Sequence, residues 1–190
     1  MRSPWPYLAG GAALLAPFGF APAFAQDTLT VAEARASLLG RWEGLYERLD
    51  SDAASEAFSW PIAVSIEDAG DGRTYIERVQ FEGMEDDGAL QVTVSILDHD
   101  GQTEHGTQFT SGTLPAPRSI SLTLADARDP AHWTLEGLAE LAENGQPMHA
   151  RYVFKRDGDT LVSTFELDPP GDEPPFGTTR RTLRRVAPGS

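Results

Sequence analysis

A two-residue alternation of apolar and polar side chains, which recurs from residue 58 onward, is the feature that most constrains the fold. It runs through "FSWPIAVSIE" (residues 58–67), "ALQVTVSILD" (89–98) and "RSISLTLAD" (118–126). Successive side chains of a β-strand point to opposite faces, so each run predicts a strand with one buried face. The sequence therefore predicts an all-β protein.

Acidic, glycine-bearing segments separate these runs, as in "EDAGDG" (67–72), "DHDG" (98–101) and "RDGD" (156–159). Asp-Gly pairs accept the positive φ angles of tight hairpins, so they predict strands joined mostly by short reversals. Counting the runs gives 8 to 10 strands, about the number at which an antiparallel meander closes into a barrel. We expect an up-and-down β-barrel, with a two-sheet sandwich as the structural alternative.

One short helix is expected before the first strand. In "LTVAEARASLL" (29–39), Thr30 can cap the helix, Glu33 stands at the capping-box position and Gly40 follows the end. A second segment, "WTLEGLAELAENG" (133–145), has helical leucine spacing, but its Asn-Gly turn and the strand pattern that follows favour a hairpin.

The first 25 residues have the pattern of a secretory signal peptide. Arg2 precedes a mostly apolar run, and Ala23-Phe24-Ala25 is a small-x-small cleavage site. We expect cleavage after Ala25, which leaves residues 26–190 as a single domain in the periplasm or outside the cell. The net charge of −14 disfavours nucleic-acid partners, no other stretch is apolar enough to span a membrane, and the oligomeric state is left open.

The segment "GRWEG" (40–44) starts the first predicted strand. A short helix, a Gly-x-Trp strand and a meander that ends in an arginine-rich strand together resemble the lipocalin and fatty-acid-binding (calycin) superfamily. The chain is also similar to the small haem barrels of the nitrobindin type. The lipocalin resemblance implies that Trp42 closes the barrel base, and Arg184 or Arg185 from the last strand is the expected cation beside its ring, because a guanidinium over an indole is stabilising.

Glu77 is the most informative polar residue. Strict alternation in "RTYIERVQFEG" (73–83) places it on the same face as Tyr75, Val79 and Phe81. A carboxylate that faces an apolar interior is costly unless it is paired or hydrated, so it indicates either a ligand-orienting group or a wet rim. On this reasoning an apolar replacement leaves the fold intact or slightly more stable. The residues expected to line the cavity are Trp60, Ile62, Val64, Tyr75, Glu77, Phe81, Val92, Val94, Tyr152 and Phe154.

These features favour an exported, non-catalytic protein that holds a small apolar or amphipathic molecule, with no cofactor and no metal. The same inward side chains would also fill a solid core. One alternative is a barrel enzyme, an isomerase or hydrolase that uses Glu77 with a histidine. The others are a nitrobindin-like haem protein, for which His105 would have to point inward, and an interaction protein of the cell envelope.

Overall fold

The computed structural model describes residues 29–49, 58–83, 90–110, 115–143, 146–168 and 176–187. The expected signal peptide, residues 1–25, lies outside them. The elements are α1 (Val31–Ala36), β1 (Gly40–Leu49), β2 (Phe58–Asp68), β3 (Thr74–Phe81), β4 (Leu90–Leu97), β5 (Thr103–Thr110), β6 (Ala116–Asp129), β7 (His132–Glu143), β8 (Gln146–Asp157), β9 (Thr160–Asp168) and β10 (Phe176–Arg185). In this part of the chain, no helix combines the length and hydropathy that crossing a membrane requires.

The ten strands form one closed antiparallel barrel. Each strand pairs with its neighbour in the sequence, and β10 returns to pair with β1, with Arg185 opposite Trp42. The predicted all-β, up-and-down barrel is confirmed, and the sandwich is excluded. The hairpin interpretation of residues 133–145 is also confirmed, because β7 and β8 pair along their whole length, from His132 opposite Asp157 to Glu143 opposite Gln146.

The helix α1 begins as its sequence predicts. The Thr30 hydroxyl accepts a hydrogen bond from the Glu33 backbone N–H at 3.2 Å, and the Glu33 carboxylate accepts one from the Thr30 backbone N–H at 2.8 Å. This reciprocal capping box fixes the first turn of a helix that is otherwise too short to be stable alone. Its buried side chains, Ala34 and Arg35, then face the barrel.

Two glycines of "GRWEG" are required by backbone geometry. Gly40 has a φ of 124°, which side-chain-bearing residues rarely adopt, so it turns the chain from α1 into β1. Any Cβ at Gly44 would collide with the backbone carbonyl of Thr182 on β10. Gly44 therefore permits the close approach of β1 and β10 at the seam that closes the barrel.

Trp42 is fully buried at the end of the barrel that α1 covers. Its indole N–H donates to the Leu38 carbonyl at 2.8 Å, and the guanidinium of Arg185 lies 4.6 Å from its ring centroid. A second cation, Arg156 of β8, lies 5.8 Å from the same ring. Arg184 is exposed and stands opposite Glu43, so Arg185 is the partner and Arg184 is not.

The two arginines beside Trp42 also hold the end of α1. Nη2 of Arg185 donates to the Ser37 carbonyl at 2.5 Å, and Nη1 of Arg156 donates to the same oxygen at 2.6 Å. Cations at the carbonyl end of a helix are favourable because they satisfy free acceptors and oppose the helix dipole. We call Trp42, Arg156, Arg185 and the end of α1 the plug. Its hydrogen bonds tie α1 to β8 and β10.

Candidate binding cavity

A cavity of about 430 Å³ lies inside the barrel, beyond the plug. One wall consists of amide and hydroxyl side chains from β4 and β5, and strands β6 to β9 contribute mainly aliphatic and aromatic side chains, together with Arg118, Ser163 and Thr164. The β4–β5 wall contains Gln91, Thr93, Ser95, Gln108 and Thr110. The apolar wall contains Ile120, Leu122, Leu141, Tyr152, Phe154 and Phe165.

The polar wall exists because β4 and β5 point their polar residues inward. Thr93 stands opposite Glu77 of β3 on one side and opposite Gln108 of β5 on the other. Val92 and Val94 alternate with these residues and lie on the outer surface, where Val94 neighbours Phe109. The prediction that Val92 and Val94 line the cavity is therefore wrong.

Arg35 extends from α1 into the barrel, where it meets Glu104 of β5. Its Nε lies 2.8 Å from Glu104 Oε2, and its Nη2 donates to Oε1 at 3.1 Å. Both side chains are less than 10% exposed. The rings of Tyr75 and Phe154 lie 5.3 and 5.9 Å from the guanidinium carbon. This buried ion pair joins the helix to the cavity lining.

Glu77 lines the cavity, as its place in the alternation predicts. Its Oε1 accepts a hydrogen bond from Nη1 of Arg181 on β10 at 2.8 Å, and each side chain is 25% exposed. Burial would raise the pKa of Glu77, but the charge and hydrogen bond of Arg181, with the charges of Arg35 and Arg118, lower it below its ordinary value. Glu77 is therefore an ionised, paired group.

Arg118 of β6 is the third arginine of the cavity lining. Its guanidinium carbon lies 5.5 Å from the ring centroid of Tyr152, and no carboxylate of the described residues forms an ion pair with it. Burial raises the pKa of the Tyr152 hydroxyl, an effect that the Arg118 charge and hydrogen bond partly offset. Gly106 of β5 stands opposite Arg118 in the register.

The other predicted lining residues fall into two groups. Glu77, Tyr152 and Phe154 line the cavity. Five more face the interior but pack in or against the apolar core, so they do not line the cavity as expected. These five are Trp60, Ile62, Val64, Tyr75 and Phe81.

The histidines do not reach the cavity. His105 shares a face with Phe109, but it is the outer face, where its Nδ1 lies 2.8 Å from the Ser119 hydroxyl. The inward-pointing His105 that the haem alternative requires is therefore not found, and the lining that the structure describes contains no histidine to bind haem or to act with Glu77. In the same described residues, no group of three or more His, Cys, Asp or Glu is placed to hold a metal ion.

Sequence reasoning missed four charged members of the lining: Arg35, Glu104, Arg118 and Arg181. Arg35 lies in α1, where no local sequence pattern indicates that its side chain enters the barrel. Arg118 and Arg181 do, however, lie in phase with apolar inward residues, Ile120 and Leu183 respectively. That phase, which identified Glu77, would also have identified these two arginines.

Comparison with known proteins shows the fold alone. No family model matches the chain, and neither does any curated protein. The solved structure of Rv2717c from M. tuberculosis is similar, with a TM-score of 0.55 and 14% identity over 85% of this chain and 100% of that one. The Bacteroides fragilis protein BF2706 aligns with a TM-score of 0.22 and 10% identity over 80% of this chain and 99% of that one. The chain is thus a ten-stranded closed barrel with a similarly built structural neighbour.

Proposed function

We propose that this chain is an exported, non-catalytic binding protein that holds a small amphipathic molecule in its barrel cavity. The observation that carries the proposal is the pair of unlike walls around one interior space of about 430 Å³. Binding sites for small molecules typically combine apolar surface with a few placed polar groups. A purely apolar ligand would match only the aliphatic and aromatic part of this lining and would place apolar surface against the amides and hydroxyls of β4 and β5, so the geometry favours an amphipathic one.

A non-catalytic role is supported by the state of Glu77. Its carboxylate is held by Arg181, and its pKa is lowered, which makes it a weak proton acceptor at neutral pH. No histidine is present in the described lining to act with it. The enzyme and haem alternatives therefore lose the residues on which they depended.

The test is native mass spectrometry of the protein purified from the periplasm of its own source. We expect a co-purified small mass on the wild-type protein. Thr93→Phe, which fills the cavity from β4, should abolish it, while Thr107→Phe, on the outer face of β5, should retain it. A wild-type protein without a bound mass, or an equal mass on Thr93→Phe, would contradict the proposal.

Export is tested separately, by N-terminal sequencing of the mature protein. We expect the first residue to be Gln26, on the basis of Ala23-Phe24-Ala25. An exported or membrane-retained product that still begins at Met1 would contradict cleavage.

A further inference from the structure

The cavity lining contains more positively charged than negatively charged side chains. It contains the arginines Arg35, Arg118 and Arg181 and two carboxylates, Glu77 and Glu104. Each carboxylate is already engaged by one arginine, Glu104 by Arg35 and Glu77 by Arg181. The lining therefore has one positive charge in excess, inside a chain whose net charge is −14.

Arg118 carries that excess. It is half-buried, faces inward beside Tyr152, and has no carboxylate partner among the described residues. A cation withdrawn from water without a counter-ion is costly, and an aromatic ring compensates for only part of this cost. An anion in the cavity would supply the missing counter-ion.

The surroundings of Arg118 indicate where the rest of such an anion would lie. Gln108 and Thr93 of the polar wall line the same cavity and offer hydrogen-bonding groups to uncharged polar atoms. Phe154 and Phe165 stand on the apolar wall and offer ring surface. A compact molecule with a charged end, a polar edge and an apolar edge would match all three.

We propose that the ligand carries a single negative charge, of the carboxylate or sulfonate type, which binds at Arg118. This inference rests on the proposed binding function and specifies its ligand class. Arg35 and Arg181 are not the anchors, because an anion at either would have to displace the carboxylate that already accepts its hydrogen bond and balances its charge. A dianion would therefore gain little over a monoanion.

The experiment uses two dyes that share one ring system. These are 8-anilinonaphthalene-1-sulfonate, which carries one negative charge, and neutral N-phenyl-1-naphthylamine. Each is titrated into the wild-type protein and followed by fluorescence. We expect the sulfonate to bind about 10- to 100-fold more tightly than its neutral counterpart, the range for a hydrogen-bonded charged group.

Arg118→Met should remove this preference. It keeps the length of the stem and removes the charge, so sulfonate affinity should fall about 10- to 100-fold while neutral-dye affinity changes less than about twofold. Arg128→Met is the matched control, because Arg128 is an exposed arginine on the same strand. Thermal unfolding confirms that each variant is folded before its titration is read.

The contradicting outcomes separate a failure of the binding function from a failure of the monoanion assignment. If neither dye binds the wild-type protein, the binding function fails and this inference fails with it. If both dyes bind equally, or Arg118→Met weakens both alike, cavity binding stands and the monoanion assignment is overturned. Phe109→Ser, on the outer surface, detects binding outside the barrel. If Phe109→Ser loses sulfonate binding and Arg118→Met keeps it, the assignment is also overturned.

Discussion

Strands β2 and β4 have the same alternation of apolar and polar residues, but the apolar face of β2 points into the barrel and that of β4 points out of it. On β2, the apolar set that includes Ile62, Val64 and Ile66 faces the interior and packs in the core near the plug. On β4, the apolar residues Val94 and Ile96 face outward, and the polar residues that alternate with them, Thr93 and Ser95, line the cavity. The alternation predicted both strands correctly and the inner face of only one.

The difference arises from register with the neighbouring strands. Because side chains alternate with a period of exactly two, a shift of one residue exchanges the two faces. Thr93 stands opposite Glu77, and Ser95 stands opposite Tyr75, so the inner face of β3 selects the polar face of β4. Leu97, in phase with these polar residues, is almost fully buried toward the closed end. The inward face of β4 is therefore polar along the cavity and apolar at its end.

The largest expected effect lies at the plug, which packs beside β2. Trp42 stands opposite Val64, and its ring fills space that no smaller side chain would fill. Trp42→Ala should cost about 3 to 5 kcal/mol of unfolding free energy, measured by urea denaturation. Trp42→Ala and Arg185→Ala should be non-additive, because both remove the same ring–guanidinium contact. A near-neutral Trp42→Ala would contradict its role as a plug.

The second prediction compares the two strands with one substitution. Ile66 of β2 is 4% exposed, whereas Ile96 of β4 is 49% exposed. Ile66→Ala should cost about 2 to 5 kcal/mol, the range for a buried isoleucine, and Ile96→Ala less than about 1 kcal/mol. Urea denaturation of both variants measures the difference. Equal losses would show that the outer face of β4 is buried in solution.

The pattern of the sequence predicted the barrel, its strand order and a partner for Trp42 at Arg184 or Arg185, of which the structure selects Arg185, but it predicted only part of the cavity. Hairpin signals are local features, which sequence reasoning detects well, and closure of the resulting meander places the last strand, with Arg184 and Arg185, beside Trp42. Which face of β4 turns inward depends on pairing with β3, and the place of Arg35 depends on how α1 docks on the barrel. Both are tertiary effects that no local pattern encodes, so the polar wall and the Arg35–Glu104 pair were missed.

The third prediction concerns Glu77, on the inner face of β3, the strand that pairs with both β2 and β4. Its pairing with Arg181 reverses the expectation that an apolar replacement is neutral or stabilising, because Glu77→Leu leaves a cavity arginine unpaired. Glu77→Leu should cost about 1 to 3 kcal/mol, less than a fully buried pair because both side chains are partly exposed. In Glu77→Leu/Arg181→Leu, the loss measured by urea denaturation should be smaller than the sum of the two single losses. Strict additivity would show that the pair contributes nothing.

The smallest effect is the pH dependence that this pair confers. Because the pKa of Glu77 in the folded protein lies below its ordinary 4.5, ionised Glu77 stabilises the fold above pH 4.5, and this contribution is lost as the pH falls further, through the lowered pKa. The difference in unfolding free energy between wild type and Glu77→Gln should therefore be constant near neutral pH and narrow below pH 4.5. Glu67→Gln is the control, since Glu67 is 58% exposed on β2 and its ion pair with Arg78 lies in solvent. Urea denaturation across this pH range gives the three curves, and a wild-type advantage over Glu77→Gln that persists unchanged into acid would mean that the Glu77 carboxylate is not stabilised by Arg181 in the folded barrel.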